Sequence, residues 1–335
     1  MTITNALPVS TPTWQLTYQG IDISAETASM ITRIAYTDYL SRLSGDLEID
    51  LADADGRWQN TWYPTPGDEV SLAIGYGGQP LLPCGTFQID ELELAGPPDL
   101  FKMRCLAAFI TPAMRTPNSV GYENQTLLGI AQFIADKYGF SLSSADELVD
   151  VAFERVTQKN ETDLAFLKRL AIEYGFDFSV RGSILVFYSR AVLEAVPSLV
   201  TLTRTDLERF EFRNRTHNTY LTSQVSYQNG LSKALISLSA ATTAPITTSD
   251  AAKFVARCEN AQQALVKVQA ALLNSNADFI EASLTMPGSV AMVSGITINL
   301  SGFGVFDGAY LIVVAHHEID RSHGYVTNVE ASRVY

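Results

Sequence analysis

Between Leu164 and Phe187 the chain changes its hydrophobic period at a single glycine, and that change limits what it can fold into. Leu164, Leu167, Leu170, Ala171 and Tyr174 recur at three- and four-residue steps, with Phe166 at the border of the stripe, as on one face of a helix. Asn160 is placed to cap this helix. Glu161 and Asp163 put negative charge in its first turn, where unpaired amides and the helix dipole favour it. Gly175 suits the left-handed position that ends a helix. Beyond it Phe176, Phe178 and Val180 alternate with polar residues, Arg181-Gly182-Ser183 reads as a turn, and Ile184 to Phe187 as the returning strand. A helix whose apolar stripe must dock on the hairpin that follows is an α+β unit. Its charges serve as cap, dipole and solvent-face groups, so the segment reads as structural.

The flanking regions carry the other period. Trp14 to Tyr18, Asp46 to Leu51, Glu69 to Tyr76, Thr86 to Leu92 and Leu100 to Leu106 are short β-rich runs separated by "ADADG", "PTPGD", "GYGGQP" and "AGPPD". Strands at such spacing predict a barrel or sandwich. A second helix is predicted from about Asn124 to Tyr138, with Leu127, Leu128, Ala131, Phe133 and Ile134 on its apolar side and Gly139 at its end. The β pattern returns at Glu208 to Arg213 and at Thr219 to Gln228, which runs into an Asn229-Gly230 turn signal. Asp250 is read as the cap of a helix to about Leu273 that includes Phe254, Val255, Cys258 and Leu265, and the remainder is again strands. The expected fold class is α+β, mainly β, with two antiparallel β-barrels and an α+β insert. The first barrel would take residues 1–111. The insert would take 112–200, joined by 240–285, and the second barrel 201–239 and 286–335.

With 335 residues, of which 47% are hydrophobic, the chain can bury several cores. Its net charge of −13 argues against a protein that reads or wraps nucleic acid, because such proteins need a basic footprint. A surface past which nucleic acid slides without sticking is compatible with that charge. Cys84, Cys105 and Cys258 are far apart and form no CxxC pair, so buried reduced thiols are expected. The opening "MTITNALPVSTPTW" has no signal-peptide pattern, and no apolar run approaches the ~18 residues that span a bilayer. The chain is expected to fold in the cytoplasm, without membrane insertion.

Candidate chemistry is sparse. In "AHHEIDRSHG" a strand would put His316, Glu318 and Asp320 on one face and a loop could return His323, but the spacing of His316, His317 and His323 matches no familiar metal motif, and surface polarity is the preferred reading. "LADADGRWQNTW" fails as a calcium loop, since alignment on Gly56 leaves Leu51 and Trp62 at ligand positions. "GFGVFDG" is GxGxxxG between strands with no helix to follow. No nucleophile motif appears, and no catalytic, cofactor-binding or metal residue is assigned. Paired carboxylates leave a glycan hydrolase as the alternative from another class. A glycan-binding module using Trp14, Trp58 and Trp62 ranks below it.

Three stretches resemble the late control D family of contractile phage tails, the central baseplate hub proteins. They are "GDLEIDLADADGRWQNTWYPTPGDEVSLAIGY" with the following "CGTFQIDELELAGPP", "ETDLAFLKRLAIEYGFDF", and "SGFGVFDGAYLIVVAHHEI". The second also resembles the hub portion of type VI secretion spikes. The resemblance implies two tube-like β-barrels per subunit and a homotrimer whose six barrels match a sixfold tail tube on one face and a trimeric central spike on the other. Further implied partners are a tube-initiator protein, the tape measure protein and other baseplate proteins, with nucleic acid only as cargo passing the lumen. The implied location is the tail baseplate of a virion or tailocin, assembled in the bacterial cytoplasm, and the role is structural rather than enzymatic. The sequence has no room for a fused lysozyme-like domain and no repeat of the needle-building kind, so spike and wall-cleaving enzyme are expected to be separate chains.

Overall fold

Seven strands open the chain, in a computed structural model that describes residues 11–41, 45–107, 112–144, 150–228, 235–246 and 249–335. They are β1 (Pro12–Tyr18), β2 (Ile21–Asp22), β3 (Ile31–Tyr39), β4 (Asp46–Ala52), β5 (Glu69–Tyr76), β6 (Leu82–Ala95) and β7 (Leu100–Leu106), with a one-turn helix α1 (Ser24–Thr27) before β3. In β4 Leu47, Ile49 and Leu51 point inward while Asp46, Glu48 and Asp50 face outward, the alternation of a half-buried strand. β3 was not apparent in the sequence because its register slips between Ile31 and Arg33, and such a bulge breaks the two-residue period. β6 is longer than its alternation suggests. Its first half pairs with β5, and its second half pairs with β7 through a slip between Ile89 and Glu91.

The middle of the chain builds a separate layer. A short helix α2 (Pro112–Arg115) leads to β8 (Asn118–Thr126), α3 (Leu127–Tyr138), β9 (Ser141–Ser143), β10 (Ala152–Glu161), α4 (Asp163–Tyr174), β11 (Phe176–Arg181), β12 (Ile184–Ser189) and α5 (Arg190–Ala195). α3 begins three residues later than expected. Asn124 lies in β8, paired with β10, and Thr126 caps the helix through Gly129 N. Phe133 is 58% exposed rather than on the buried side.

α4 is capped by Thr162, whose hydroxyl accepts from Ala165 N, and not by Asn160. Asn160 takes φ +51° where β10 slips against β8, so Glu161 ends a strand instead of opening a helix. Phe166 is fully buried, not at the border of the stripe. Gly175 does end α4 with φ +77°, and β11 and β12 pair as a hairpin. Leu164, Leu167, Leu170, Phe178, Val180, Leu185 and Phe187 share one core.

After the insert come β13 (Val200–Leu202), β14 (Arg209–Asn214), β15 (Thr222–Gln228), β16 (Leu235–Ala241) and β17 (Ala251–Val255). α6 (Ala261–Asn276), β18 (Ile280–Pro287), β19 (Thr297–Leu300), β20 (Gly308–Asp320) and β21 (Gly324–Arg333) complete the chain. The helix expected from Asp250 starts at Ala261 with Asn260 as its cap, and Ala251–Val255 is a strand. Phe254 satisfies a helical period and a strand period equally, and its neighbours decide for the strand: Lys253 and Val255 are exposed while Ala252 and Phe254 are half-buried. The Asn229-Gly230 signal lies outside the described residues.

One 13-stranded sheet follows the order β14-β18-β21-β20-β3-β4-β7-β6-β5-β1-β2, with β19 beside β20 and β13 beside β19. β15, β16 and β17 stand apart from it as a three-stranded sheet against α6, although Thr219 to Gln228 was expected within the second barrel. α6 in turn meets α4, where Lys267 bonds Glu173 at 2.8 Å and Asn274 bonds Ile172 O at 3.0 Å. Mainly antiparallel β with an α+β layer is the class expected from the sequence.

The long sheet carries two apolar cores. One gathers Leu16, Ile34, Leu47, Ile49, Leu51, Phe87 and Phe101, and the other Leu284, Ile298, Leu300, Tyr310 and Ile312. The β20–β21 hairpin belongs to both: Tyr310, Ile312, Ala315 and Val329 lie in the second core, and Ile319 and Tyr325 at its tip lie in the first.

Candidate functional site

The most organised polar surface is the outer face of the sheet where the two β regions join. Register sets Asp320 beside Arg33, Arg33 beside Asp50, Asp50 beside Lys102, and Lys102 beside Glu93. A parallel row runs Glu318, Ala35, Glu48, Arg104, Glu91. Arg33 is the centre, 2.8 Å from Glu48, 3.0 Å from Glu318 and 3.9 Å from Asp50. Arg104 bridges Glu48 and Glu91, and Lys102 reaches Glu93 at 3.1 Å.

Hydrogen bonding from Arg33 holds the Glu48 carboxyl below its ordinary value, whereas burial pushes Asp50 up against the pull of Arg33 and Lys102. Cross-strand pairs of opposite sign stabilise a sheet. The rows hold six carboxylates against three cations, so the face keeps a negative excess that repels phosphates.

The histidines are divided among different tasks. His316 faces this surface, with Nδ1 2.8 Å from Thr37 Oγ1 and Nε2 3.4 Å from Glu318. His317 points the other way into the interior, between the Tyr325 hydroxyl and Met292 O at 2.9 Å each, and burial lowers its pKa to about 4. His323 is exposed and pairs with Asp320 at 2.9 Å, which raises its pKa. Burial of Asp320 acts to raise its own carboxyl, but bonds from His323 and Ser322 outweigh it and hold the group well below the carboxylate range. Among the described residues no group of three or more His, Cys, Asp or Glu side chains is arranged to hold a metal.

Two acids raised by burial lie where the insert meets the sheet. Asp177 on β11 is 8% exposed and Glu194 on α5 is partly buried; burial raises both, and Arg190 opposes the rise while bonding Glu194 at 3.1 Å. Nearby Arg181 reaches Asp38 of β3 at 3.3 Å and Ser294 at 2.8 Å, and Ser294 N donates to Asp38 at 3.0 Å. These groups fasten the insert to β3 and to the loop before β19.

Asp163 has a similar role within the insert. It is 1% exposed and accepts from Lys137, Tyr138 and Gln158 at 2.7 Å each. Burial would raise its pKa, but these donors lower it. The sequence reads Asp163 as a dipole charge; Gln158 is five residues away, but Lys137 and Tyr138 reach it from α3, about 25 residues back, and could not be read there.

Of the aromatic candidates Trp58 is a packing group, Trp14 is partly buried against the first core and Trp62 is 37% exposed. Trp58 is 6% exposed, stacks on Phe101 and directs Nε1 to Met30 Sδ at 3.3 Å, while Trp62 carries Arg57 over its ring. The "ADADG" loop is held by Asp53, which accepts from Trp58 N and Gln59 N, so its carboxylate serves the backbone. Cys84, Cys105 and Cys258 are buried and free. No described helix is long and apolar enough to cross a membrane.

Comparison with known proteins gives two kinds of relative. No protein-family model matches the chain. It is 29% identical over 206 residues to a probable baseplate hub protein of Escherichia phage 186, a match spanning 60% of this chain and 52% of that protein. The probable baseplate hub protein of Escherichia phage P2 matches at 29% over 207 residues with the same coverage. The match thus spans about half the length of these curated relatives.

In fold it is similar to the 43 kDa tail protein of prophage MuSo2 from Shewanella oneidensis, with TM-score 0.71, 16% identity, and 96% and 98% of the two chains covered. A component of the Escherichia coli type VI secretion system follows with TM-score 0.59, 15% identity, and 96% and 77% covered. The resemblance to baseplate hubs read from the sequence is therefore met by sequence matches to proteins of that name and by the fold of tail proteins.

Proposed function

We propose that the chain is the structural hub of a contractile tail baseplate, a subunit that adapts a sixfold tube to a threefold spike. The observation that carries this is the pair of apolar cores on one continuous sheet, locked by a hairpin shared between them. In this reading each core is the interior of a tube-like barrel. Three subunits closed head to tail then present six similar barrels, and a ring of that kind needs only contacts that close by rotation. The matches to named hub proteins of two phages support the same reading.

The first barrel takes the strands before residue 107. The second takes β13, β14 and β18 to β21. The helical insert together with β15 to β17 and α6 forms an outer layer. The mixed-sign face centred on Arg33 forms a wall past which nucleic acid can pass without being held. Partners are the spike, the tube or its initiator, the tape measure protein and neighbouring baseplate proteins. The work is symmetry matching, with no bond made or broken.

Light scattering on the purified chain, alone and with its spike, tests this: a threefold mass and a ring with six-lobed density by electron microscopy are expected. A chain that stays monomeric under every condition and never enters a threefold complex rules the reading out. Zymography on cell-wall substrate checks the non-enzymatic part, and clearing that depends on one Asp or Glu would overturn it.

A further inference from the structure

Between the insert and the small sheet lies a cleft of about 670 Å³, walled by β10 and β17 and floored by α4 and α6. The two walls are treated differently. On the β10 side the Glu259 carboxylate accepts from Glu154 N and Arg155 N at 2.8 Å each, and Gln263 Nε2 donates to Ala152 O at 2.7 Å. Side chains thus occupy that strand edge as a neighbouring strand would.

On the other side, among the described residues, β17 pairs with β15 alone. The bond from Ala256 N to Ser226 O sets the phase of this parallel ladder. Alternate residues of a strand turn their backbone groups to opposite edges. Ala252 and Phe254 therefore face β15, and Ala251, Lys253 and Val255 direct their N–H and C=O groups away from it. Among the described residues, no backbone hydrogen bond meets those outward groups.

The side chains along this edge follow a pattern of their own. Val255 is 85% exposed, more than any other large apolar side chain described. Lys253 and Arg257 flank it at two-residue steps and are also exposed. Neither has an ion-pair partner among the described residues, whereas Arg155, Arg169 and Lys267 elsewhere in the cleft are paired with Glu123, Glu161 and Glu173. Arg257 lies near enough to Glu259 to help lower its carboxyl, yet in a chain of net charge −13 two exposed cations in no close ion pair, on either side of an exposed valine, are a specific display.

We propose that β17 receives an extended segment of a partner protein, with acidic residues two positions either side of an apolar one, which adds as a fourth strand to the β16-β15-β17 sheet. Strand addition takes affinity from the backbone ladder and specificity from alternate side chains. Opposite charges across the new pair favour it, and like charges disfavour it. A second copy of this chain is the wrong occupant, since antiparallel self-pairing about Val255 sets Lys253 against Arg257 twice. A lysine on an edge also discourages chance pairing, but that role does not call for an exposed valine beside it. The proposal stands on this edge and is independent of the hub reading.

The test uses the full chain and a fluorescein-labelled peptide Ser-Thr-Glu-Thr-Val-Thr-Glu-Thr-Ser, read by fluorescence anisotropy. Saturable binding is expected. The double variant Lys253→Glu with Arg257→Glu should weaken it about tenfold, and the peptide with lysines in place of both glutamates should bind that variant instead. Val255→Pro removes one outward N–H without touching the β15 ladder, and it should abolish binding while near-ultraviolet circular dichroism stays unchanged. If the proline variant fails to fold, the charge exchange still decides. Absence of saturable binding, or binding indifferent to the charge exchange, overturns the proposal. A solution dimer that the double charge variant breaks overturns it too, because the edge would then belong to a second copy.

Discussion

The hydroxyl of Tyr325 donates to His317 Nδ1 across the β20–β21 hairpin, 2.9 Å away, while His317 Nε2 lies 2.9 Å from Met292 O. A carbonyl can only accept, so the proton of the ring sits on Nε2, and Nδ1 is free to accept only while the imidazole is neutral. Protonation would therefore turn the Tyr325 hydroxyl from donor to acceptor and disturb the bond that ties the hairpin tip to the first core, where Tyr325 is packed.

From this follows a dependence of stability on pH. Burial takes the folded His317 pKa from 6.5 down to about 4. As pH falls below about 6.5 the unfolded chain gains a proton that the folded chain refuses until about pH 4, so stability is level above this window and is lost inside it. By pH 5 the loss attributable to His317 should be about 2 kcal/mol. Urea midpoints at pH 7.5 and pH 5 for the parent and for His317→Gln check this. Glutamine can bond both partners without titrating, so the variant should lose less, and parallel losses in the two proteins would refute the assignment.

Leu167 is fully buried in the insert core beside Leu164, Leu170 and Phe166. A carboxylate there has no partner in an apolar setting, so Leu167→Asp should destabilise the subunit by about 3–5 kcal/mol. Thermal unfolding measures it, and an unchanged midpoint would show that the stripe is not a core.

Much of this insert is legible in the sequence. The stripe from Leu164 to Tyr174, the stop at Gly175 and the hairpin after it arise from local period and local backbone preference, which a sequence displays directly. So do β4, β5 and β7, whose alternation is uninterrupted. What escaped was set by distant partners. Asn160 looks like a cap, but pairing of β10 with β8 extends the strand through it and hands the cap to Thr162. Asp163 looks like a first-turn charge, but Lys137, Tyr138 and Gln158 converge on it from elsewhere. The rows centred on Arg33 depend on the register of five strands, and the pairing of β20 with β3 joins positions about 280 residues apart in sequence. No period encodes such a join.

Gly288 is required for steric rather than conformational reasons. A Cβ at this position would lie 2.1 Å from the Tyr325 ring, and Gly288 N donates to Tyr325 O at 2.8 Å, so the backbone cannot retreat without losing a bond. Gly288→Ala must displace the ring from the first core and from His317, at a cost of about 1–3 kcal/mol. A double-mutant cycle with Tyr325→Ala isolates the cause. In the absence of the ring the alanine should be nearly neutral, and additive losses would place the strain elsewhere.

Arg33 decides the character of the face where the two β regions join. Its guanidinium serves Glu48, Glu318 and Asp50 at once, so Arg33→Met leaves three carboxylates on the two strands that flank β3 without the cation between them. The side chains of Arg33, Glu48 and Glu318 are about one-third exposed, so solvent screens much of the gain, and the stability lost should be about 1 kcal/mol and shrink at high salt. The sign with pH is fixed by Glu48, whose folded carboxyl is held below 4.5 chiefly by its bond from Arg33. A lowered carboxyl contributes stability above its unfolded value, and that contribution disappears as pH falls through the folded value. The parent should therefore lose its advantage over Arg33→Met below about pH 4.5, and the Glu48 titration followed by carboxyl carbon shifts should move upward in the variant. A Glu48 titration that does not move would mean the pair is not formed in solution, and that the face owes its order to the backbone ladder alone.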